Sequence, residues 1–454
     1  MVQGQKAAAK ISWATVREHN RQDNAWVVIH HKVYDISAFH DHPGGVVMFT
    51  QAGEDATDAF AVFHPTSAFK LLEQYYVGDV DESTAAVDET LTEAQKKSQS
   101  DFIVSYRKLR LEVKRLGLYD SSKLYYLYKL VSTLSIALVS AAICLTFDST
   151  AMYMVAAVIL GLFYQQCGWL AHDFLHHQVF ENHLYGDLVG VMVGNLWQGF
   201  SVQWWKNKHN THHAIPNLHA TPEINFHGDP DIDTMPILAW SLKMAQHAVD
   251  SPVGLFFMKY QAYLYFPILL FARISWVIQS AMYAFMNVGP GGTFDDVQYP
   301  LLERAGLVAY YGWNLALVYF ANMSLLEALA FLFVSQASCG LFLAMVFSVG
   351  HNGMEVFDKD EKPDFWKLQV LSTRNVTSSF FIDWFMGGLN YQIDHHLFPM
   401  VPRHNLPKLN VLVKSLCKQY DIPFHETGFY EGMAEVVVHL KHISIEFFKD
   451  FPAM

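Results

Sequence analysis

At 454 residues the chain is long enough for more than one unit, and its 52% hydrophobic against 16% charged residues, with a mean hydropathy of +0.14, depart from a soluble globular composition. A net charge of −12 with no basic stripe argues against a nucleic-acid partner and leaves a lipid or a small carrier as substrate. The four cysteines, Cys144, Cys167, Cys339 and Cys417, lack paired short spacing, which argues against a disulfide framework or a Cys-ligated metal site and places the histidines on a reducing side.

The opening MVQGQKAAAK has no apolar core, which speaks against a cleaved signal peptide and for a cytosolic N-terminus. Residues 1 to about 80 read as a small α+β unit, with β-rich runs at Trp26–Ile29 and Val33–Ile36, a turn at Pro43–Gly45 and a helix over Val46–Gln51. His42 opens that turn, and His64-Pro65 lies 22 residues further on. Two neutral imidazoles from separated turns can fill both axial positions of a haem iron, which favours electron transfer over oxygen binding. HPGG alone is also a common simple turn. Asp81–Ser100, rich in Asp, Glu, Ser, Thr, Gln and Lys, reads as a solvated linker or a short exposed helix.

Two apolar stretches, Leu130–Phe147 and Thr150 to about Leu170, flank Asp148-Ser149 and approach the roughly 20 residues that cross a hydrocarbon core, so they predict a transmembrane hairpin. Lys108, Arg110, Lys114, Arg115, Lys123 and Lys129 precede it and make that flank cytosolic. Leu307–Asn322 and Ala328–Gly350 form a second apolar pair. Leu255–Met286 carries Lys259, Gln261, Pro267, Arg273 and Gln279, and reads as an interfacial or re-entrant helix because charge at bilayer depth is costly. Four crossings return all the histidine clusters to one cytosolic face.

Those clusters are HDFLHH at 172–177, HNTHH at 209–213 and QIDHH at 392–396. Neutral imidazole suits iron, copper, zinc or nickel, and repeated pairs at one-turn spacing read as metal-binding shells. His172 is four residues from His176 and five from His177, and which of the latter two ligates stays open. His209, His212 and His213 gather toward one point on a helix. Gln392 stands before His395 and His396 where the second cluster has its leading histidine, and its amide offers a carbonyl ligand or a hydrogen bond. Any single cluster could be exposed or core histidines without metal. Three parallel clusters, with more imidazoles than one tetrahedral ion uses, imply two metals. His351, in FSVGHNG at the end of the last span, is either a further ligand or an interfacial histidine, and Asp173 either orients a ring N–H or is a plain surface residue. His183, His219 and His227 read as supporting or structural, and His404, His425, His439 and His442 as structural or solvated.

WVVIHHKVYDISAFHDHPGG with the later FHP resembles cytochrome b5, and HDFLHH, HNTHH and QIDHH resemble the histidine boxes of membrane fatty-acyl desaturases. The Gln392 form of the third box resembles the front-end subgroup, which carries a fused b5 domain. WWKNKHNTHH, GDPDIDTMP, FSVGHNGM and GGLNYQIDHHLFP look most like delta-6 desaturases, and the resemblance spans nearly the whole chain.

That resemblance implies an α+β haem domain over 1–82, a linker and pre-membrane segment over 83–125, and an all-α membrane domain over 126–454 with about four transmembrane helices and a cytosolic di-iron cap. It implies haem b held by His42 and His64. It also implies two non-haem irons held by the boxed histidines, His172, His176, His177, His209, His212, His213, His395 and His396, with His351 and Gln392, and no catalytic residue beyond that centre. The implied reaction is O2-dependent delta-6 desaturation of C18 polyunsaturated acyl chains, on phospholipid or coenzyme A. An NADH- or NADPH-dependent cytochrome b5 reductase would supply electrons at the endoplasmic reticulum membrane, with both termini cytosolic. Rivals are delta-5, delta-4, delta-8 or sphingoid-base desaturation, hydroxylation, and an inactive membrane haem carrier.

Overall fold

The computed structural model describes residues 10–39, 42, 44–65, 67–85, 92–221, 226–249, 251–289, 292–293 and 298–451, so Pro43 of the expected turn and residues 86–91 of the expected linker lie outside it. The first unit is built on strands β1 (Lys10–Ser12), β2 (Asn20–Arg21), β3 (Asn24–Ile29), β4 (Lys32–Asp35) and β5 (Tyr76–Asp81), in the order β1-β5-β4-β3-β2. Val28 pairs with Val33 across a two-residue hairpin whose His30 and His31 both take positive φ, +49° and +64°, the geometry that matches strand twist. Helices α1 (Trp13–Glu18), α2 (Thr57–Phe63) and α3 (Ala68–Leu72) and a 3₁₀ turn over Gly45–Gln51 complete the unit around Val27, Ile29, Tyr34, Ile36 and Leu72.

The expected solvated linker continues into a 23-residue helix, α4 (Glu93–Arg115), started by a capping box between Thr92 and Gln95. It is not merely exposed. Phe102, Tyr106 and Val113 are buried, and Phe102 packs on Trp366 at 3.7 Å between ring centroids.

Two long helices follow, α5 (Lys123–Thr146) and α6 (Thr150–Leu175), then α7 (His183–Val191), α8 (Val202–Ala214) and α9 (Leu242–Gln246). Next come α10 (Pro252–Leu269), α11 (Ala272–Met286), α12 (Pro300–Phe320) and α13 (Leu325–His351). The chain closes with α14 (Phe365–Leu371), α15 (Phe380–Phe385), α16 (Gln392–Leu397), α17 (Leu406–Gln419) and α18 (Phe429–Asp450). Among the described residues α5, α6 and α13 are long and apolar enough to cross a membrane. α12 has 21 residues but is less apolar than its expected role as a span requires, because Glu303, Arg304 and Asn314 interrupt it. α10 and α11 meet at 72° and together are apolar enough for one span. Two of their polar side chains point into protein: Gln261 accepts from the Ala239 N–H at 2.9 Å, and Arg273 donates to the carbonyls of Gln198 and Gly199, while Lys259 is exposed.

α6 and α13 make the most extensive helix pair of the molecule. Their backbones approach at Gly161, where a Cβ would sit 2.6 Å from Ser338 Cβ, so only glycine allows the contact. At 26 and 27 residues they measure about 39 and 40 Å, roughly 10 Å more than the hydrocarbon core. The extra length leaves His172 and His351 in the last turns of two packed helices.

Candidate metal and haem sites

Five imidazoles converge from three elements: His172 and His176 from the end of α6, His209 and His213 from α8, and His395 from α16, with ligand nitrogens within 4.8 Å of one another. Nε2 separations are 3.0 Å for His172 with His395, 2.8 Å for His176 with His209, 3.0 Å for His209 with His213 and 3.1 Å for His213 with His395. Nitrogens packed this closely would repel one another without a shared cation, and one ion among them would be held by all five rings. A second group joins His212, His351 and His396, with His212 and His351 Nε2 at 3.3 Å. Gln392 completes it: its Nε2 lies 2.7 Å from His351 Nε2, and its Oε1 is buried without a partner. A half-turn of the amide gives that oxygen to the site.

Proton placement explains why these rings need a cation. His212 Nδ1 donates to Asp229 at 2.9 Å, His396 Nδ1 to Gln369 Oε1 at 2.8 Å, and His172 Nδ1 faces Asp173 Oδ1 at 3.3 Å. Each bond fixes the proton on Nδ1 and turns a bare Nε2 lone pair inward. His396 Nε2 is buried with no hydrogen-bond partner, and a metal ion satisfies such a lone pair. Burial, reinforced by neighbouring imidazoles, holds His176, His209, His213, His395 and His396 well below the ordinary histidine range and therefore neutral at pH 7, the form that ligates. Burial also acts on His212, but Asp229 and Asp231 outweigh it and raise that ring.

His177 is not brought to either group. α6 ends with His176 as its C-cap, and His177 turns away at φ +56°, stacking on His183 at 3.8 Å between ring centroids. Of the two neighbours left open by spacing, the structure directs His176 inward.

Asp173 accepts from Arg403 Nε at 2.5 Å and from the Tyr126 hydroxyl at 2.9 Å, a buried network. Asp229 and Gln369 escaped sequence reasoning, although Asp229 sits in GDPDID, three carboxylates within five residues shortly after HNTHH, a signal that could have flagged it. Asp394 between Gln392 and His395 is buried, which pushes its carboxyl up to about 7, and it accepts from Asn375 and Asn410 at 2.8 Å each, fixing α16. His219 bonds Ser241 Oγ at 2.9 Å, His439 the Trp240 carbonyl at 2.8 Å, and His404 the Ser122 N–H at 3.0 Å, all away from the two groups.

In the first unit His42 and His64 face one another, Nε2 to Nε2 at 3.4 Å. Their Nδ1 atoms point to the carbonyls of Gly45, at 3.3 Å, and Phe60, at 3.0 Å, so both inner nitrogens are free. A haem iron would be held by these two nitrogens. Burial and the facing His64 push His42 down to about 4, keeping it neutral. Phe60 stacks on His64 at 4.3 Å, Phe39 stands edge-on to His42 at 5.7 Å, and at Gly44 a Cβ would strike His42 Cε1 at 2.8 Å. Each of the two imidazoles is thus backed by an aromatic ring.

A cavity of about 420 Å³ opens beside the metal groups, lined by His209, His212 and His351 at one part and by Trp204, Tyr265, Leu343 and Phe347 elsewhere. Apolar walls with a few polar groups are the make-up of a small-molecule site, and this volume falls within the usual range.

Two family models match the chain, one described as "Fatty acid desaturase" over residues 149–428 and one as "Cytochrome b5-like Heme/Steroid binding domain" over residues 12–81. An "Acyl-lipid (9-3)-desaturase" of Physcomitrium patens is 36% identical over 433 residues, covering 94% of this chain and 77% of the relative. A "Delta(8)-fatty-acid desaturase" of Euglena gracilis is 34% identical, covering 91% and 93%, and a "Delta(6)-fatty-acid desaturase" of Caenorhabditis elegans is 32% identical, covering 89% and 92%. The cofactors are haem in the first unit and a di-iron centre among the histidines, and both sets of donors fit them. Convergent neutral imidazoles, an apolar cavity alongside and these matches lead to one conclusion: the chain belongs to the membrane fatty acid desaturase family, with a cytochrome b5 domain at its N-terminal end.

Proposed function

We propose that the chain inserts a cis double bond at delta-6 of C18 polyunsaturated acyl chains, linoleoyl and alpha-linolenoyl, with O2 as oxidant and electrons relayed through its own b5 domain. The observation that carries a lipid reaction is the cavity itself, whose apolar lining begins at His209, His212 and His351. The relatives named for acyl-lipid and Delta(6) chemistry support the finer reading. The Delta(8) relative, similar over 93% of its own length, favours delta-8 as the second reading.

Bound iron supplies the oxidising power needed to take hydrogen from an unactivated C–H bond, which acid–base side chains cannot do. The protein's residues do the rest. His172, His176, His209, His213 and His395 are assigned to one ion, and His212, His351, His396 and Gln392 to the other, while Asp229 and Gln369 hold the rings of His212 and His396 in orientation. Trp204, Trp276 and Phe347 exclude water beside the centre and hold an acyl segment against it. His42 and His64 are assigned to the haem, the domain bounds to 1–82, 83–125 and 126–454, and the membrane to the endoplasmic reticulum, with both termini in the cytosol and a pyridine-nucleotide-dependent b5 reductase as electron donor. Expression in a host lacking the activity, fed linoleate and alpha-linolenate, with gas chromatography of the products, tests the reading. A new bond at delta-5 or delta-8, or a hydroxy-acyl product, overturns it.

A further inference from the structure

The haem unit is held against the histidine cap. Its 45–51 turn lies on α8, where Gln51 Nε2 donates to the Ala214 carbonyl at 3.4 Å. Phe63, at the end of α2, stands edge-on to Phe365, ring centroids 6.2 Å apart. Two ion pairs clasp the edge: Arg107 of α4 grips Asp58 with two bonds of 2.9 Å, and Lys362 reaches Glu54 as well as Gln51 Oε1 at 3.2 Å. Both carboxylates belong to the haem unit and both cations to the elements it meets, a complementary charge pattern that fixes orientation. At the middle of this contact Phe63, the residue before His64, presents its ring to His213 of the five-histidine group, centroids 6.3 Å apart and planes at 80°.

We propose that Phe63 is the contact through which the fused haem unit passes electrons to the five-histidine iron, and that the Asp58–Arg107 and Glu54–Lys362 pairs hold the unit in that transfer position; this rests on the desaturase reading above. Each passage takes one electron from ferrous haem, leaving it ferric, and reduces one ferric ion of the pair to ferrous. Two passages reduce the pair, the haem being recharged by a pyridine-nucleotide-dependent reductase, or by dithionite in vitro. Phe63 is a positioning residue, filling the space between the two centres and keeping water out of it.

The test uses the full-length protein loaded with haem and ferric iron; one reducing equivalent of dithionite per haem is mixed in anaerobically, so that the ferric pair is the acceptor, and haem reoxidation is followed by absorbance. Phe63→Leu slows reoxidation several-fold with haem spectrum and iron content unchanged, and Phe63→Tyr restores it. Asp58→Arg slows it, and Asp58→Arg combined with Arg107→Asp recovers it, which separates docking from misfolding. In metal-free protein a carbodiimide joins Lys362 to Glu54, read by mass spectrometry of the linked peptides. Wild-type reoxidation in Phe63→Leu, or absence of the 54–362 cross-link, overturns the proposal. A wild-type protein whose haem reoxidation depends on Phe63 but which makes no desaturated product leaves this inference standing and removes the functional reading instead.

Discussion

Replacing Asp229 by asparagine separates the orientation of a ligand from the ligand itself. The carboxylate accepts from His212 Nδ1 at 2.9 Å and from the Asn217 N–H at 2.8 Å while fully buried, so it holds both the ring and the loop that delivers it. The amide side chain of Asp229→Asn would keep the shape and one acceptor oxygen but lose the charge that makes His212 a better donor to metal. Loss of such a supporting partner costs about 10- to 100-fold in metal affinity, or roughly 1.4 to 2.7 kcal/mol at the usual tenfold conversion. The deficit should fall on the ion assigned to His212, His351 and His396, because no ring of the five-histidine group touches Asp229 among the described residues. The assay is non-haem iron per protein under a graded chelator challenge, with haem absorbance as the internal reference. Asp229→Asn should lose about one of two non-haem irons at chelator concentrations that leave the wild type loaded. Equal retention in the two proteins would refute the orienting role.

Of the two neighbouring histidines, His176→Ala should lower non-haem iron and activity together, while His177→Ala, whose ring stacks on His183, should leave iron content unchanged in the same elemental measurement. His64→Ala should abolish the bis-histidine absorption spectrum and leave non-haem iron in place, since the two sites share no ligand. Arg403→Met strands the buried Asp173 carboxylate and should destabilise by about 3 to 5 kcal/mol, read as a fall in the thermal unfolding midpoint. Filling the cavity with Ala344→Phe should reduce turnover of C18 chains more than of shorter ones, as measured by competitive feeding and gas chromatography.

The sequence displayed the clusters because helical spacing is local: His209 and His213, four apart, share a face wherever α8 lies. It displayed the long apolar helices for the same reason. What it withheld depends on contacts between distant segments. Gln369 lies 27 residues from the His396 ring it orients, and Arg403 lies 230 from Asp173, with no pattern connecting either pair. The choice between His176 and His177 turned on where α6 stops, and helix ends are the least legible part of a sequence. The polar stretch before the membrane reads as solvated from its composition, whereas Phe102 and Tyr106 beyond it found partners in α14 and α16 that only the folded chain supplies.

The overshoot of α6 and α13 turns chain length into a tolerance. Adding one residue inside either helix would swing its terminal histidine through about 100° and lift it by about 1.5 Å, enough to take it out of a shell whose edges are near 3 Å. α5, which supplies no imidazole, stands under no such rule, and the Phe147–Ser149 turn after it can absorb an insertion without moving a donor. Registration errors are therefore fatal in α6 and α13 and forgivable in α5, a division that an insertion scan would map directly.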